Sequence, residues 1–451
     1  MTKQFFRNNP STSFRAKKVL IMGLGLHGGG VGVAKFFCNQ KANVLVTDLK
    51  TKEQLKESLQ KLKGLKIKCA LGGHKETDFL SADLIIKNPD VPLSSPYLEI
   101  ARKNKIPVET DVSLFFKMSN AFVIGITGTK GKSTTASLIY HILKQKYKRT
   151  FLAGNIGVSP LELLPKIKKS DKVVLELSSF ELEGLSQSPD IAVITNILPD
   201  HLNRYANMAE YVESKKIIFK YQKRGDVLVL NSDDLIVKEF AKESNSKIVF
   251  FSLDNKPKNI KLNSFKLLGE HNLSNLLASI KVAKLMNVSP KIIEKSLKSF
   301  KGVPSRQEFV KEINGVKYFN DTTATMPDAS IMAINVFSDN FPNSRLILIC
   351  GGQNKGLNYN KLTDAIKEKV NILIMLPGTA SDKIKEGLFE YNKLYEVSLM
   401  KEAVKKAKEL SKRGDVVILS PGAASFNLFK NEFDRGRQFV EAVENGNKKT
   451  L

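Results

Sequence analysis

Eleven short apolar runs recur along this chain, most of them separated by stretches with helical spacing, and that alternation restricts the fold more than any other feature. The runs fall at residues 19–22, 44–47, 84–86, 122–126, 173–177, 191–195, 227–230, 316–319, 346–350, 372–376 and 416–419. Helical stretches at 132–144, 272–285 and 401–410 lie among them. Runs of four or five Val, Ile and Leu residues are what a strand looks like when helices cover both faces of its sheet, and strand–helix alternation implies parallel pairing. A chain of 451 residues has room for about three such domains. Breaks are placed near 111–119, just before a fresh strand, and at Lys301-Gly302-Val303-Pro304-Ser305. The reading is α/β with three domains: 1–115, Rossmann-like; 116–302, a central P-loop-type ATPase domain on a mostly parallel sheet; and 303–451, Rossmann-like again.

Composition narrows the function classes. No run of about eighteen apolar residues is present, so no membrane span is expected. The first eighteen residues are basic but lack an apolar stretch, so they do not read as a secretory signal. Cys38, Cys69 and Cys350 stand far apart, without metal spacing or a disulfide framework, which fits a reducing cytoplasm. The net charge of +26 raises nucleic acid as a partner. The lysines are spread along the whole chain rather than gathered in a tail or an arginine-rich strip, so no nucleic-acid partner is expected. A positive field of this kind suits anionic small molecules such as nucleotides.

Two glycine loops carry the chemistry. Residues 18–22 lead into Gly23-Leu24-Gly25-Leu26-His27-Gly28 and then a helix, and Asp48 closes the next strand. Such a loop lets the backbone approach a pyrophosphate at a helix N-terminus, with the acidic residue placed for a ribose. The pattern alone serves NAD, FAD or another diphosphate, including a UDP-sugar, and a bare strand–helix turn has the same look. The second loop, Thr127-Gly128-Thr129-Lys130-Gly131-Lys132-Ser133-Thr134-Thr135, follows 122–126 and opens a helix. Its N–H groups suit phosphates, Lys132 the β- and γ-phosphates, and Ser133 a Mg²⁺ ion. Ile126 stands where the strict P-loop pattern has glycine, so the loop is a variant, and ATP is its expected ligand.

Further motifs follow. Gly154-Asn155-Ile156-Gly157 comes after a short apolar strand. Glu176, within Leu175-Glu176-Leu177-Ser178-Ser179-Phe180-Glu181, ends a buried strand, where a carboxylate is costly unless paired or metal-bound. Asn196-Ile197-Leu198-Pro199-Asp200-His201 follows another strand, and Tyr211-Val212-Glu213-Ser214-Lys215-Lys216-Ile217-Ile218 is helical. Gly269-Glu270-His271-Asn272-Leu273-Ser274-Asn275, Pro304-Ser305-Arg306, Asn320-Asp321-Thr322-Thr323-Ala324-Thr325, Gly351-Gly352-Gln353-Asn354-Lys355-Gly356 and Ser420-Pro421-Gly422-Ala423-Ala424-Ser425 complete the set.

In these separated motifs, over essentially its whole length, the chain resembles the Mur ligase family, and within it the glutamate-adding members. The resemblance implies an ATP-dependent amide ligase that adds D-glutamate to UDP-N-acetylmuramoyl-L-alanine through an acyl phosphate, in peptidoglycan precursor synthesis. It implies ATP and two Mg²⁺ ions, with Ser133, Glu176, His201 and a carbamylated Lys215 as metal-holding groups and Lys132, Glu176, His201 and Lys215 as the catalytic set. ATP would meet Gly128, Thr129, Lys130, Gly131, Lys132, Ser133, Thr134, Asn272, Asn275, Arg306 and Asp321. The UDP-linked substrate would meet Gly25, Leu26, His27, Asp48, Lys50, Asn88 and Asn155, and the amino acid Thr325, Lys355, Ser425 and Phe433. A cytoplasmic monomer is expected.

The chain departs from the family's pattern at four places. Thr323 stands where a lysine is usual, Glu432 where an aromatic is usual, His27 in place of a small hydroxyl residue, and Asp90 in a turn that is usually Pro-Gly. A sister ligase or an L-glutamate-adding variant is the nearest alternative. An NAD-dependent dehydrogenase or a nucleotide-binding protein without catalysis is the alternative from another class.

Overall fold

The computed structural model describes residues 14–26, 28–202, 204–265, 267–389, 391–425 and 428–445. Its strands form three sheets. The first contains β1 (Lys18–Met22), β2 (Asn43–Asp48), β3 (Ile67–Leu71), β4 (Leu84–Lys87) and β5 (Val108–Glu109), in the order β3-β2-β1-β4-β5. The second contains β6 (Phe122–Thr127), β7 (Thr150–Gly154), β8 (Lys172–Glu176), β9 (Ile191–Ile194), β10 (Val227–Asn231) and β11 (Lys247–Phe251), in the order β11-β10-β9-β6-β8-β7. Every pairing in these two sheets is parallel. The third contains β12 (Glu308–Ile313), β13 (Val316–Asn320), β14 (Leu346–Cys350), β15 (Ile372–Met375), β16 (Leu394–Glu396) and β17 (Val416–Leu419), in the order β12-β13-β17-β14-β15-β16. It is mixed: β12 runs antiparallel to β13 and the rest are parallel.

Interior strands are buried along nearly their whole length. All five residues of β14 and all four of β17 are buried, because crossover helices cover both faces. At about 1.5–3 kcal/mol for each large apolar side chain removed from water, these strands supply much of the driving force for folding. The expected helices run Lys132–Lys146, Glu270–Leu285 and Met400–Leu410.

Contacts gather the chain into two compact units, one drawn from Met1–Leu262 and Ser274–Leu297, the other from Asn263–Leu273 and Lys298–Leu451. The first holds the first two sheets and the second holds the third. Residues 111–118, expected near a break, form a buried helix within the first unit. That helix starts with a capping box: Ser113 N donates to Thr110 Oγ1 (3.0 Å) and Thr110 N to Ser113 Oγ (2.8 Å). Among the described residues, no helix is long and apolar enough to cross a membrane.

Candidate active site

The register of the second sheet assembles one edge of the site. Ile126 pairs with Glu176, Thr127 with Ile194 and Gly154 with Glu176. The C-terminal ends of β9, β6, β8 and β7 therefore lie side by side, where parallel sheets build their ligand sites. They carry Thr195 and Asn196, the loop 128–133, Glu176 and Asn155.

Two glycines of the loop are obligatory on steric grounds. Gly128 has φ 143°, and a Cβ there would stand 2.0 Å from Thr195 Oγ1; Gly131 has φ 82°, and a Cβ would stand 2.2 Å from Asn275 Oδ1. The loop is clamped from β9. Thr129 N donates to Asn196 O (2.9 Å), Lys130 N to Asn196 Oδ1 (2.8 Å) and Thr195 Oγ1 to Lys130 O (2.6 Å). Lys132 Nζ curls over the loop, donating to the carbonyls of Gly128 (3.0 Å) and Thr129 (2.9 Å). Thr134 is half-buried in the first turn of the helix, and Asn275 accepts from Thr135 Oγ1 (3.2 Å).

Glu176 is 2% exposed. Its Oε1 accepts from Ser133 Oγ (3.0 Å) and Asn155 Nδ2 (3.2 Å), while Oε2 is buried with no hydrogen-bond partner. An orphaned buried carboxylate oxygen beside a P-loop serine fits a hard divalent cation, which takes oxygen ligands and keeps waters for its other positions. Among the described residues, no three His, Cys, Asp or Glu side chains converge on one metal position. A metal here would draw on one carboxylate, the Ser133 hydroxyl and the phosphates themselves.

His201 adopts φ 55° and packs its ring against Phe180, with centroids 4.9 Å apart. Burial lowers its pKa; nearby Lys215, Lys132 and Lys130 push the same way, and Asp200 opposes them. The imidazole is thus kept neutral, as a metal ligand must be. Lys215 lies on the buried stripe of the helix Met208–Lys220, one turn from Tyr211, with its Nζ 4.8 Å from that ring's centroid. It is 1% exposed, and burial reinforced by Lys132 holds its pKa well below the ordinary lysine value. Lys216, one residue on, points outward and pairs with Glu213 and Glu243, each at 2.7 Å.

In the first sheet, Gly23 and Gly25 take positive φ. Asp48 Oδ2 accepts from Leu24 N (2.8 Å) and Gly25 N (3.2 Å), and Oδ1 from Lys50 N (2.9 Å). The carboxylate expected to meet a ribose thus also shapes the glycine loop. Asn88 Nδ2 donates to Gly23 O (3.3 Å). Leu26 and Lys50 are exposed, and His27 lies outside the described residues. One cavity is lined by Gly25, Leu26, Asn88, Lys132, Asn155 and His201 together, so the first loop and the phosphate loop face the same space within this unit.

The same cavity is walled by three buried groups that sequence reasoning passed over. Glu181 is pushed up to about 8 by burial and the nearby Asp111 charge; burial also raises Asp111, and brings Lys87 down to about 8. The signal for Glu181 was the Ser178-x-x-Glu181 capping box, which closes here with Glu181 N to Ser178 Oγ at 3.2 Å and Ser178 N to Glu181 Oε2 at 2.7 Å. Thr195 and Tyr211, which buttress Thr129 and Lys130, were likewise unassigned.

In the second unit Asp321 and Thr325 follow β13, Ser425 follows β17 and Lys355 follows β14, strands that adjoin in the sheet, while Arg306 precedes β12 and Phe433 lies in the helix Glu432–Asn445. Asp321 is buried, accepting from Ser420 Oγ (2.9 Å) and Gln307 N (3.1 Å), and burial pushes it up to about 7. Arg306 acts on it as a nearby cation. Thr325 is half-buried, Ser425 is buried, and Lys355 and Phe433 are exposed. Thr323 Oγ1 donates to Ser305 O (2.9 Å). Asn272, in the same unit, donates from Nδ2 to Leu268 O (2.7 Å).

Comparison with known proteins matches three family models in series: the Mur ligase MurD-like N-terminal domain at 17–110, the Mur ligase middle domain at 126–283 and the Mur ligase glutamate ligase domain at 305–422. The UDP-N-acetylmuramoylalanine–D-glutamate ligase of Roseiflexus sp. is 38% identical over 95% of this chain and 98% of its own. That of Borreliella afzelii is 38% identical over 94% and 97%. Among solved structures, the UDP-N-acetylmuramate–alanine ligase MurC of Thermotoga maritima superposes with TM-score 0.64 at 20% identity, covering 95% of this chain and 100% of that one. MurF ligase from Thermotoga maritima in complex with ADP gives 0.55 at 20%, covering 89% and 94%; both show a shared fold.

Proposed function

The chain belongs to the Mur ligase family, and from that premise we propose that it joins D-glutamate to UDP-N-acetylmuramoyl-L-alanine, cleaving ATP to ADP and phosphate, in peptidoglycan precursor synthesis. The observation that carries the catalytic reading is Glu176, a buried carboxylate tied to Ser133 and Asn155 with one oxygen unpartnered. An NAD-dependent dehydrogenase has no such need beside a Gly-Lys-Ser loop.

A carboxylate resists attack by an amine because its oxygen is a poor leaving group. Transfer of the ATP γ-phosphoryl group to the substrate carboxylate converts that oxygen into part of a phosphate. The glutamate amine then attacks the acyl carbon, the C–O bond breaks, and inorganic phosphate leaves. The loop 128–133 would hold the ATP phosphates through backbone N–H groups, with Thr134, Asn272, Asn275, Arg306 and Asp321 on the rest of the nucleotide. Lys132 would leave the carbonyls of Gly128 and Thr129 for the phosphate oxygens and neutralise charge as it develops. Two Mg²⁺ ions held by Ser133, Glu176, His201 and a carbamylated Lys215 would add positive charge at the same oxygens.

A buried amine held neutral reacts with CO₂, forming an N–C bond and releasing a proton; the deep burial of Lys215 supports it, and not Lys216, as the modified group. Gly25, Leu26, His27, Asp48, Lys50, Asn88 and Asn155 would bind the UDP-linked acid, in three domains bounded at 1–115, 116–302 and 303–451. Thr325, Lys355, Ser425 and Phe433 would orient the amino acid so that its amine meets the acyl carbon. The protein would work as a cytoplasmic monomer. ADP release measured with UDP-N-acetylmuramoyl-L-alanine and a panel of D- and L-amino acids tests this. Release dependent on D-glutamate is expected, and release that ignores the amino acid overturns it.

A further inference from the structure

Arg435 is 0% exposed, the largest side chain that is fully buried among the described residues. None of them places a carboxylate within salt-bridge distance of it; Glu432 acts on it only from farther off. A buried cation without a paired anion costs several kcal/mol in desolvation, and an apolar side chain of similar size would avoid that cost. Its bonds show what the cation holds in place. Nε donates to Thr322 Oγ1 (3.0 Å), Nη2 to Thr322 O (2.8 Å) and Nη1 to Ala423 O (3.1 Å). Thr322 Oγ1 in turn donates to Glu432 O (2.8 Å), and a Cβ on Gly436 would stand 2.5 Å from Thr322 Cγ2. One planar guanidinium therefore bridges two loops that leave adjacent parallel strands: 321–325 after β13 and 420–425 after β17.

We propose that Arg435 is a positioning residue for the incoming amino acid, fixing the distance between the Thr325 and Ser425 loops and placing a positive charge behind them that favours an anionic amino acid. The inference rests on the reading above, in which those loops receive glutamate. A fork of fixed geometry suits this task, because a lysine would carry the charge but could not span both carbonyls.

The test is steady-state kinetics of Arg435→Lys, Arg435→Gln and Thr322→Val, each substrate varied in turn, with the wild type assayed first against the amino-acid panel. The KM for D-glutamate is expected to rise roughly tenfold or more in both Arg435 variants, less in Arg435→Lys than in Arg435→Gln. The KM values for ATP and the UDP-linked acid should stay within about twofold. Thr322→Val, which keeps the cation and both carbonyls, should show a smaller rise with the same selectivity. An equal rise in all three KM values, or a fall in kcat alone, overturns the proposal. If the Arg435 variants fail to fold, Thr322→Val decides, and an unchanged glutamate KM there overturns it. A wild type that uses another amino acid refutes the glutamate reading; the KM for that amino acid then decides the role of Arg435.

Discussion

Replacing Glu176 by glutamine should make the ligand-free protein more stable and the enzyme inactive. The glutamine amide would keep an oxygen in the place of Oε1, so the bonds from Ser133 Oγ and Asn155 Nδ2 survive. What disappears is a buried negative charge whose Oε2 has no partner. Leaving a buried acceptor unsatisfied costs about 1–3 kcal/mol, more when it is charged. The glutamine Nε2 would stand unpartnered in the place of Oε2, so only the charge is relieved, and the gain should be about 1 kcal/mol, at roughly 2–4 °C in Tm per kcal/mol for a domain of 150–250 residues. Turnover should fall by about 10²–10³, the loss typical of removing one electrostatic stabiliser of a transition state. Calorimetry without ligands, paired with ADP release, reads both effects. A variant less stable than wild type, or one that keeps turnover within about tenfold, would refute the argument that this carboxylate is held in reserve for a cation.

Four further outcomes are expected. Lys132→Ala should abolish ATP-dependent phosphate release while leaving folding intact by circular dichroism, since Lys132 is half-buried and its Nζ donates to the carbonyls of its own loop. Lys215→Ala should lose activity and regain part of it with added short carboxylic acids. Lys216→Ala should keep near-wild-type turnover, because its ion pairs are at the surface and of small worth. Asp321 should impose a pH dependence on stability. Its folded pKa of about 7 lies above the ordinary unfolded value of about 3.9, so the stability it allows is complete below about pH 3.9 and is lost as pH rises through 7. Asp321→Asn should remove up to about 4 kcal/mol of that decline. Urea titrations from pH 4 to 8 measure it, and parallel slopes for the two proteins would count against the burial argument.

The sheets show what sequence can reveal and why. Among the described residues the eleven apolar runs are the eleven interior strands, and the six edge strands β3, β5, β7, β11, β12 and β16 are absent from that series. Interior strands are covered on both faces and most read as unbroken apolar runs, β13 with Lys317 being the exception. Edge strands such as β12, Glu-Phe-Val-Lys-Glu-Ile, and β3, Ile-Lys-Cys-Ala-Leu, are partly solvated and carry charges that discourage pairing with other chains. Only β7 left a trace, as the short strand before Gly154. In the site, Lys132 and Ser133 were legible because a phosphate loop is local in sequence. Glu176 was legible because a carboxylate ending an apolar run is anomalous. Lys215 and Lys216 look alike in sequence; one helical residue of rotation, about 100°, buries the first and leaves the second half-buried, paired with Glu213 and Glu243. Arg435, whose partners lie at Thr322 and Ala423, gave no local sign, since its role depends on two loops meeting across neighbouring strands.

The most direct test of the proposed chemistry follows one oxygen atom. UDP-N-acetylmuramoyl-L-alanine labelled with ¹⁸O in its free carboxylate should, on reaction with ATP and D-glutamate, yield inorganic phosphate carrying one ¹⁸O, seen by mass spectrometry or ³¹P NMR. Phosphate without label, formed at the same rate as amide, would contradict activation of the carboxylate as an acyl phosphate.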